Sequence, residues 1–88
     1  MKTGITDSGF AYSLDEDVMD DYELLEMFCE IDAGNNSFIT KAAKQLLGEE
    51  QLDALKEHLR NEKGKVSATK MVEEISQILR ENKEGKNF

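Results

Sequence analysis

The stretch 20–32, DDYELLEMFCEID, constrains the fold of this chain more than any other. At about 100° per residue, Glu23, Glu26 and Glu30 share one narrow stripe of a helix. Tyr22, Leu24, Leu25, Met27, Phe28, Cys29 and Ile31 take up almost all of the remaining circumference. A surface helix shows one apolar face, whereas a helix apolar nearly all round is enclosed by its neighbours. The pattern therefore predicts a central helix over 18–32, with the other elements laid against it. Asp20 is the expected N-cap and Glu23, three residues on, its reciprocal partner. Cys29, the only cysteine, lies on the apolar arc and is expected to be a reduced core thiol.

Around that helix the chain reads as ββαααα. Phe10, Tyr12 and Leu14 alternate with Ala11 and Ser13, the period of a strand with one face inward. With the polar turn Thr6-Asp7-Ser8-Gly9 before them, they predict a β-hairpin over 1–14. Two strands alone are marginal in water, so the hairpin must lean on the helices or on another chain's edge. Ala33-Gly34-Asn35-Asn36 breaks the central helix, with Gly34 suited to a left-handed cap. Asn36 or Ser37 then caps a helix over 37–47, inward through Phe38, Ile39, Ala42, Ala43 and Leu46. Gly48 ends it. The segment 49–62 has a thinner stripe of Leu52, Leu55 and Leu59, which predicts a peripheral helix with a wide solvated face. After Lys63-Gly64-Lys65, Ser67 caps a helix over 67–82 whose inward face is Ala68, Met71, Val72, Ile75, Ile78 and Leu79. A flexible tail is expected over 83–88. The expected fold is mainly α: a short N-terminal β-hairpin followed by a compact bundle of about four helices in one domain.

At 88 residues the core is modest, since a chain this short buries roughly 60% of its unfolded surface. The net charge of −8 is unevenly spread. Ten acids face Lys2 alone in 1–32, whereas nine acids face ten bases thereafter. So acidic a region repels nucleic acid and anionic membrane and attracts basic protein surfaces. The plainer alternative is that these acids only keep a small protein soluble. No apolar run is long enough to span a membrane, and MKTGITDSGF has no apolar core of a signal peptide. A cytosolic protein is expected.

The sequence offers little chemistry. His58 is the only histidine, too few for a Ser-His-Asp triad or a zinc cluster, and it flanks the Leu55–Leu59 stripe as a boundary residue. No glycine-rich loop has phosphate-binding spacing. The loop from Asp32 resembles a calcium loop in part, but Ala43 stands where a bidentate Glu is needed and Ser37 where glycine is. The stretch 61–72 fits no better, with Val72 at the Glu position. No enzymatic activity, catalytic residue, cofactor or metal is expected.

In its segment order the chain resembles the tail assembly chaperones of long-tailed bacteriophages and prophages of Gram-positive bacteria. The residues carrying the likeness are Asp20-Asp21-Tyr22-Glu23-Leu24-Leu25-Glu26 and Glu30-Ile31-Asp32. They continue with Leu46-Leu47-Gly48-Glu49-Glu50-Gln51, Leu55-Lys56-Glu57-His58-Leu59-Arg60, Gly64-Lys65-Val66 and Gly85-Lys86-Asn87. The resemblance implies a non-enzymatic protein that binds the tape measure protein, helps recruit tail tube subunits, and leaves before the virion is complete. It implies the bacterial cytoplasm as location, and in many such genes a longer frameshifted product. In that setting Asp15, Glu16, Asp17, Asp20, Asp21, Glu23 and Glu26 are expected to face a basic partner surface. Leu52, Leu55 and Leu59 are expected to supply exchangeable apolar contact. Self-association through the hairpin edge or the Val72–Leu79 face is a further expectation. The alternative from another class is a small acidic DNA mimic that inhibits a host nucleic-acid-binding protein. That role needs two rows of carboxylates, and the acids after Asp32 are interleaved with bases.

Overall fold

The computed structural model describes residues 2–83, the last of them by its backbone alone. The expected tail therefore lies, beyond Lys83, outside the described residues. Strands β1 (Lys2–Ile5) and β2 (Ala11–Leu14) form an antiparallel hairpin, followed by helices α1 (Tyr22–Asp32), α2 (Ile39–Leu59) and α3 (Ala68–Lys83). The fold is mostly helical with a short N-terminal hairpin, but among the described residues it has three α-helices where about four helices were expected. Ile39–Leu59 forms one helix with a kink at Gly48 (φ 78°, ψ 166°).

The kink follows from the sequence. Ala42, Ala43, Leu46 and Leu47 lie on one side of an ideal helix, and Leu52, Leu55 and Leu59 lie about half a turn round from them. A straight rod would bury one set and expose the other. The change of direction at Gly48 lets both sets face one core, where Leu52 and Leu55 are as buried as Leu46 and Leu47. The second half of α2 keeps the expected wide solvated face, with Glu49, Glu50, Asp53, Glu57 and His58 exposed, but its thin stripe reaches deep into the core. It ends at Leu59 and not at 62, because Arg60 turns extended (ψ 129°) and bridges to Val66. Asn61 organises the intervening loop, its Oδ1 accepting from the N–H groups of Lys63 and Lys65.

Helix α1 begins at Tyr22, four residues later than expected. Two successive turns precede it, closed by Val18 N–H to Asp15 C=O and Asp20 N–H to Asp17 C=O. They drop Met19 into the core. The N-cap is Asp21 and not Asp20: its Oδ1 accepts from the N–H groups of Glu23 and Leu24. At the other end Gly34 (φ 99°) N–H bonds Ile31 C=O and Asn35 N–H bonds Glu30 C=O, the paired closure of a Schellman motif. A single turn of 3-10 helix, Asn36–Phe38, leads into α2, capped by Asn35 in place of Asn36 or Ser37.

The enclosed centre is not α1. Leu14, Leu24, Leu55, Ile75, Ile78 and Leu79 are the most buried large side chains, so β2, α1, α2 and α3 share one core. Only Leu24, Met27, Phe28 and Ile31 of α1 face it. The hairpin leans on α2 and α3 through named polar bonds. Gln51 reads the outer edge of β2 as a strand would: its Oε1 accepts from Ser13 N–H (2.8 Å) and its Nε2 donates to Ser13 C=O (2.7 Å). Thr6 Oγ1 donates to the buried Glu74 carboxylate (2.7 Å), and Gln77 Oε1 accepts from Asp7 N–H (3.0 Å).

Candidate functional site

Three large apolar side chains are well exposed among the described residues: Ile5 (66%), Tyr22 (73%) and Phe38 (38%). Two of the three border the same shallow groove along α1. Its lining adds Leu25 and Cys29 to Tyr22 and Phe38, with Glu23, Glu26 and Glu30 along it and Lys41 at the start of α2. The helical period explains the order. Leu25, Cys29 and Tyr22 span an arc of about 60°, and Glu26, Glu30 and Glu23 fill about the next 60° before the buried face begins. Helix α1 is therefore two-sided: an inner apolar face in the core, an outer apolar stripe in solvent, and an acidic stripe between them.

This arrangement corrects the expectation of an enclosed helix. Tyr22, Glu23, Glu26, Cys29 and Glu30 are exposed and Leu25 is half-buried. Cys29 is an exposed free thiol, not a core residue. A nearly complete apolar circumference fits two opposed apolar faces as well as burial on all sides, and the outer stripe was hidden in that ambiguity.

Most of the acids ahead of the helix are also in solvent. Asp15, Glu16, Asp17 and Asp20 are exposed. Asp21 is only half-exposed and is committed to the fold, since besides capping α1 its Oδ2 accepts from Gln45 Nε2 at 3.1 Å. Two ion pairs, Lys56–Asp53 and Arg60–Glu57, lie within α2 or at its end. Neither draws on the carboxylates of α1.

The leucines expected to contact a partner are placed elsewhere. Leu52 and Leu55 are fully in the core and Leu59 is packed partly against it, so they form no exchangeable surface in this fold. His58 has structural partners: Nε2 lies 3.1 Å from Ser8 Oγ and 3.2 Å from Ser8 C=O, and the ring stands 5.6 Å from that of Phe10. It fastens the hairpin turn to α2. A second, wider groove nearby mixes Arg60, Lys70 and Arg80 with Glu73 and Glu74, and so has no single sign of charge.

The shifted protonation equilibria are also structural. The Arg60 guanidinium, bonded to Glu57 at 2.6 Å and 2.9 Å, holds that carboxyl below its ordinary range. Burial pushes the Tyr12 phenol up. No group of three or more His, Cys, Asp or Glu side chains among the described residues is placed to hold a metal ion. No described helix is long and apolar enough to cross a membrane. The site can bind by shape and charge. No protein-family model, curated protein or solved structure matches the chain.

Proposed function

We propose that this protein is a non-enzymatic tail assembly chaperone, which holds a tape measure protein soluble and helps tail tube subunits assemble around it. The reading combines the resemblance with one observation: an exposed apolar stripe on α1 bordered by Glu23, Glu26 and Glu30, with the exposed acids Asp15, Glu16, Asp17 and Asp20 ahead of it in the chain. A tape measure protein exposes apolar helical stripes until the tube encloses them, and a holding protein must cover such stripes while remaining soluble. Covering takes apolar surface, and solubility takes the charge beside it. The proposed place of action is the host cytoplasm, with release before the virion is complete. A longer frameshifted product belongs to the same proposal, with a slippery run in the codons for Gly85-Lys86-Asn87 as its mark.

Co-expression with the tape measure protein tests the reading. The triple variant Asp15→Lys, Asp17→Lys, Asp20→Lys leaves the Asp21 cap and the core intact. It is expected to lower recovery of soluble tape measure protein at least about tenfold, the effect of losing roughly 1.4 kcal/mol of binding. Recovery equal to that of the unaltered chain would remove the acidic surface from the assignment.

A further inference from the structure

We infer that the groove on the outer side of α1 is a seat for one amphipathic helix of a partner, whose apolar stripe is flanked on one side by Lys and Arg. The inference rests on the holding role proposed above and adds the site, the shape of the occupant and its charge. Tyr22, Leu25 and Cys29 lie one turn apart along α1, so a facing helix presents apolar anchors at three- and four-residue spacing. Phe38, from the turn that leads into α2, adds a further apolar contact to the same groove. The eleven residues of α1 offer a track of about 16 Å, enough for three turns of the occupant.

Charge selects which helix is held. Glu23, Glu26 and Glu30 line the groove against the single base Lys41. A helix with basic residues beside its apolar stripe is attracted, and one with acids there is repelled. Among the described residues, no helix of a second copy of this chain meets the description. The apolar faces of its helices near Lys41, Lys44, Lys70 and Arg80 are already turned into its own core, with Ala42, Leu46, Ile75 and Leu79 fully buried. The occupant is therefore a different protein.

Cys29 supplies the measurement, because it is the only thiol and lies in the groove. The full chain is treated with a thiol-modifying reagent, alone and with each of three synthetic peptides of about 14 residues. One is a leucine-striped helix flanked by lysine, one has glutamate in place of lysine, and one is a scrambled form of the first without a stripe. At a peptide concentration ten times its Kd, a seated helix slows Cys29 modification about tenfold. The lysine peptide is expected to do this, less so at high salt, and the other two are not. The variant Tyr22→Ser, Leu25→Ser changes only the outer stripe, and with an unchanged thermal midpoint it is expected to lose the protection.

No protection by the lysine peptide, equal protection by the glutamate or scrambled peptide, or protection that survives in the Tyr22→Ser, Leu25→Ser variant would each overturn the seat. Protection that grows with protein concentration in the absence of peptide would overturn it in favour of a second copy. The two proposals separate cleanly. If tape measure recovery falls in the Asp15, Asp17, Asp20 variant while no peptide shields Cys29, the seat fails and the tail role stands. If the lysine peptide shields Cys29 while tape measure recovery ignores both sets of substitutions, the seat stands and the tail role fails.

Discussion

Asn82 Nδ2 donates to the Tyr12 hydroxyl at 3.1 Å, tying the second strand of the chain to the last turn of its last helix. The same amide donates to Ile78 C=O at 2.7 Å, and the Tyr12 hydroxyl donates to Glu81 Oε1 at 3.0 Å. Tyr12 and Asn82 are both buried, so the bonds made by the Asn82 amide are shielded from competing water. A hairpin of two four-residue strands is not stable by itself, and this junction is one of the attachments that make it part of the fold.

Asn82→Ala should cost about 1–2 kcal/mol, because it strips a buried hydrogen-bond donor from two acceptors. In a domain of this size each kcal/mol lowers the thermal midpoint by roughly 4–8 °C. Thermal unfolding by circular dichroism reads this directly. A midpoint shift of less than about 2 °C would mean that the hairpin is held by its other contacts alone.

The Tyr12 ring also lies over Gly4, its cross-strand partner. A Cβ at Gly4 would overlap the Tyr12 hydroxyl and ring carbons, and the ring cannot swing aside without breaking its bonds to Glu81 and Asn82. Gly4→Ala is expected to cost about 1–3 kcal/mol, the range for overpacking. With Tyr12→Ala already in place, the same change should be neutral or slightly stabilising, since alanine orders a strand at lower entropic cost than glycine. A double-mutant cycle measures the coupling; additive costs would contradict the contact.

The placement of the hairpin was legible in part. Alternation of Phe10, Tyr12 and Leu14 identifies an inward face, and the structure buries all three. Gly4, Gln51, Glu74, Gln77 and Asn82 carry no such periodic signal, because their roles depend on what lies 8 to 70 residues away. The helices show the same division. Leu52, Leu55 and Leu59 reveal a stripe, but their depth depends on a bend at Gly48 that hydrophobic spacing marks only as a change of phase. For the site, acidity is visible in composition, whereas the outer stripe of Tyr22, Leu25 and Cys29 cannot be told from core by spacing alone. Both faces of α1 are apolar, and only the tertiary packing decides which one is covered.

Alkaline pH offers a second test of the Tyr12 junction. Burial, with the Glu81 carboxylate adding to it and the Asn82 bond opposing, raises the Tyr12 phenol above its ordinary 10.0. The unfolded chain then releases this proton at lower pH than the native protein does. Tyr12 therefore stabilises fully below about pH 10, and its contribution is lost as pH rises through the unfolded and then the native value. The midpoint should fall more steeply above pH 10 in the unaltered chain than in Tyr12→Phe, although the variant is less stable at neutral pH. Parallel pH profiles would show that burial does not shift this phenol.

Gly48 sits at φ 78° and ψ 166°, a backbone region essentially reserved for glycine. Gly48→Ala should therefore cost about 1–3 kcal/mol, even though open space surrounds the added methyl. The opposite sign has a definite meaning. A gain of about 1 kcal/mol, the helix-propensity difference between the two residues, would show that α2 straightens and turns one leucine set outward. Urea denaturation distinguishes the two, with tryptic sensitivity near Leu52 as a check on exposure.

Asp20 and Asp21 are neighbours in sequence with separable duties. The Asp21 carboxylate receives three hydrogen bonds, from Glu23 N–H, Leu24 N–H and Gln45 Nε2, and so holds the start of α1 against α2. Removing such a cap costs about 1 kcal/mol, and the lost Gln45 bond adds to that. Asp20 is exposed, and neither the Lys56–Asp53 nor the Arg60–Glu57 ion pair involves it. Substitution there should stay within about 0.5 kcal/mol. Asp21→Ala is thus expected to lower the thermal midpoint by several degrees and to weaken partner binding only through the fold. Asp20→Lys is expected to leave the midpoint in place and weaken binding directly, with the loss shrinking as salt is raised. Equal midpoint losses for the two would mean that the acids before α1 act as one structural cluster, and charge-reversal at Asp20 would then say nothing about a partner.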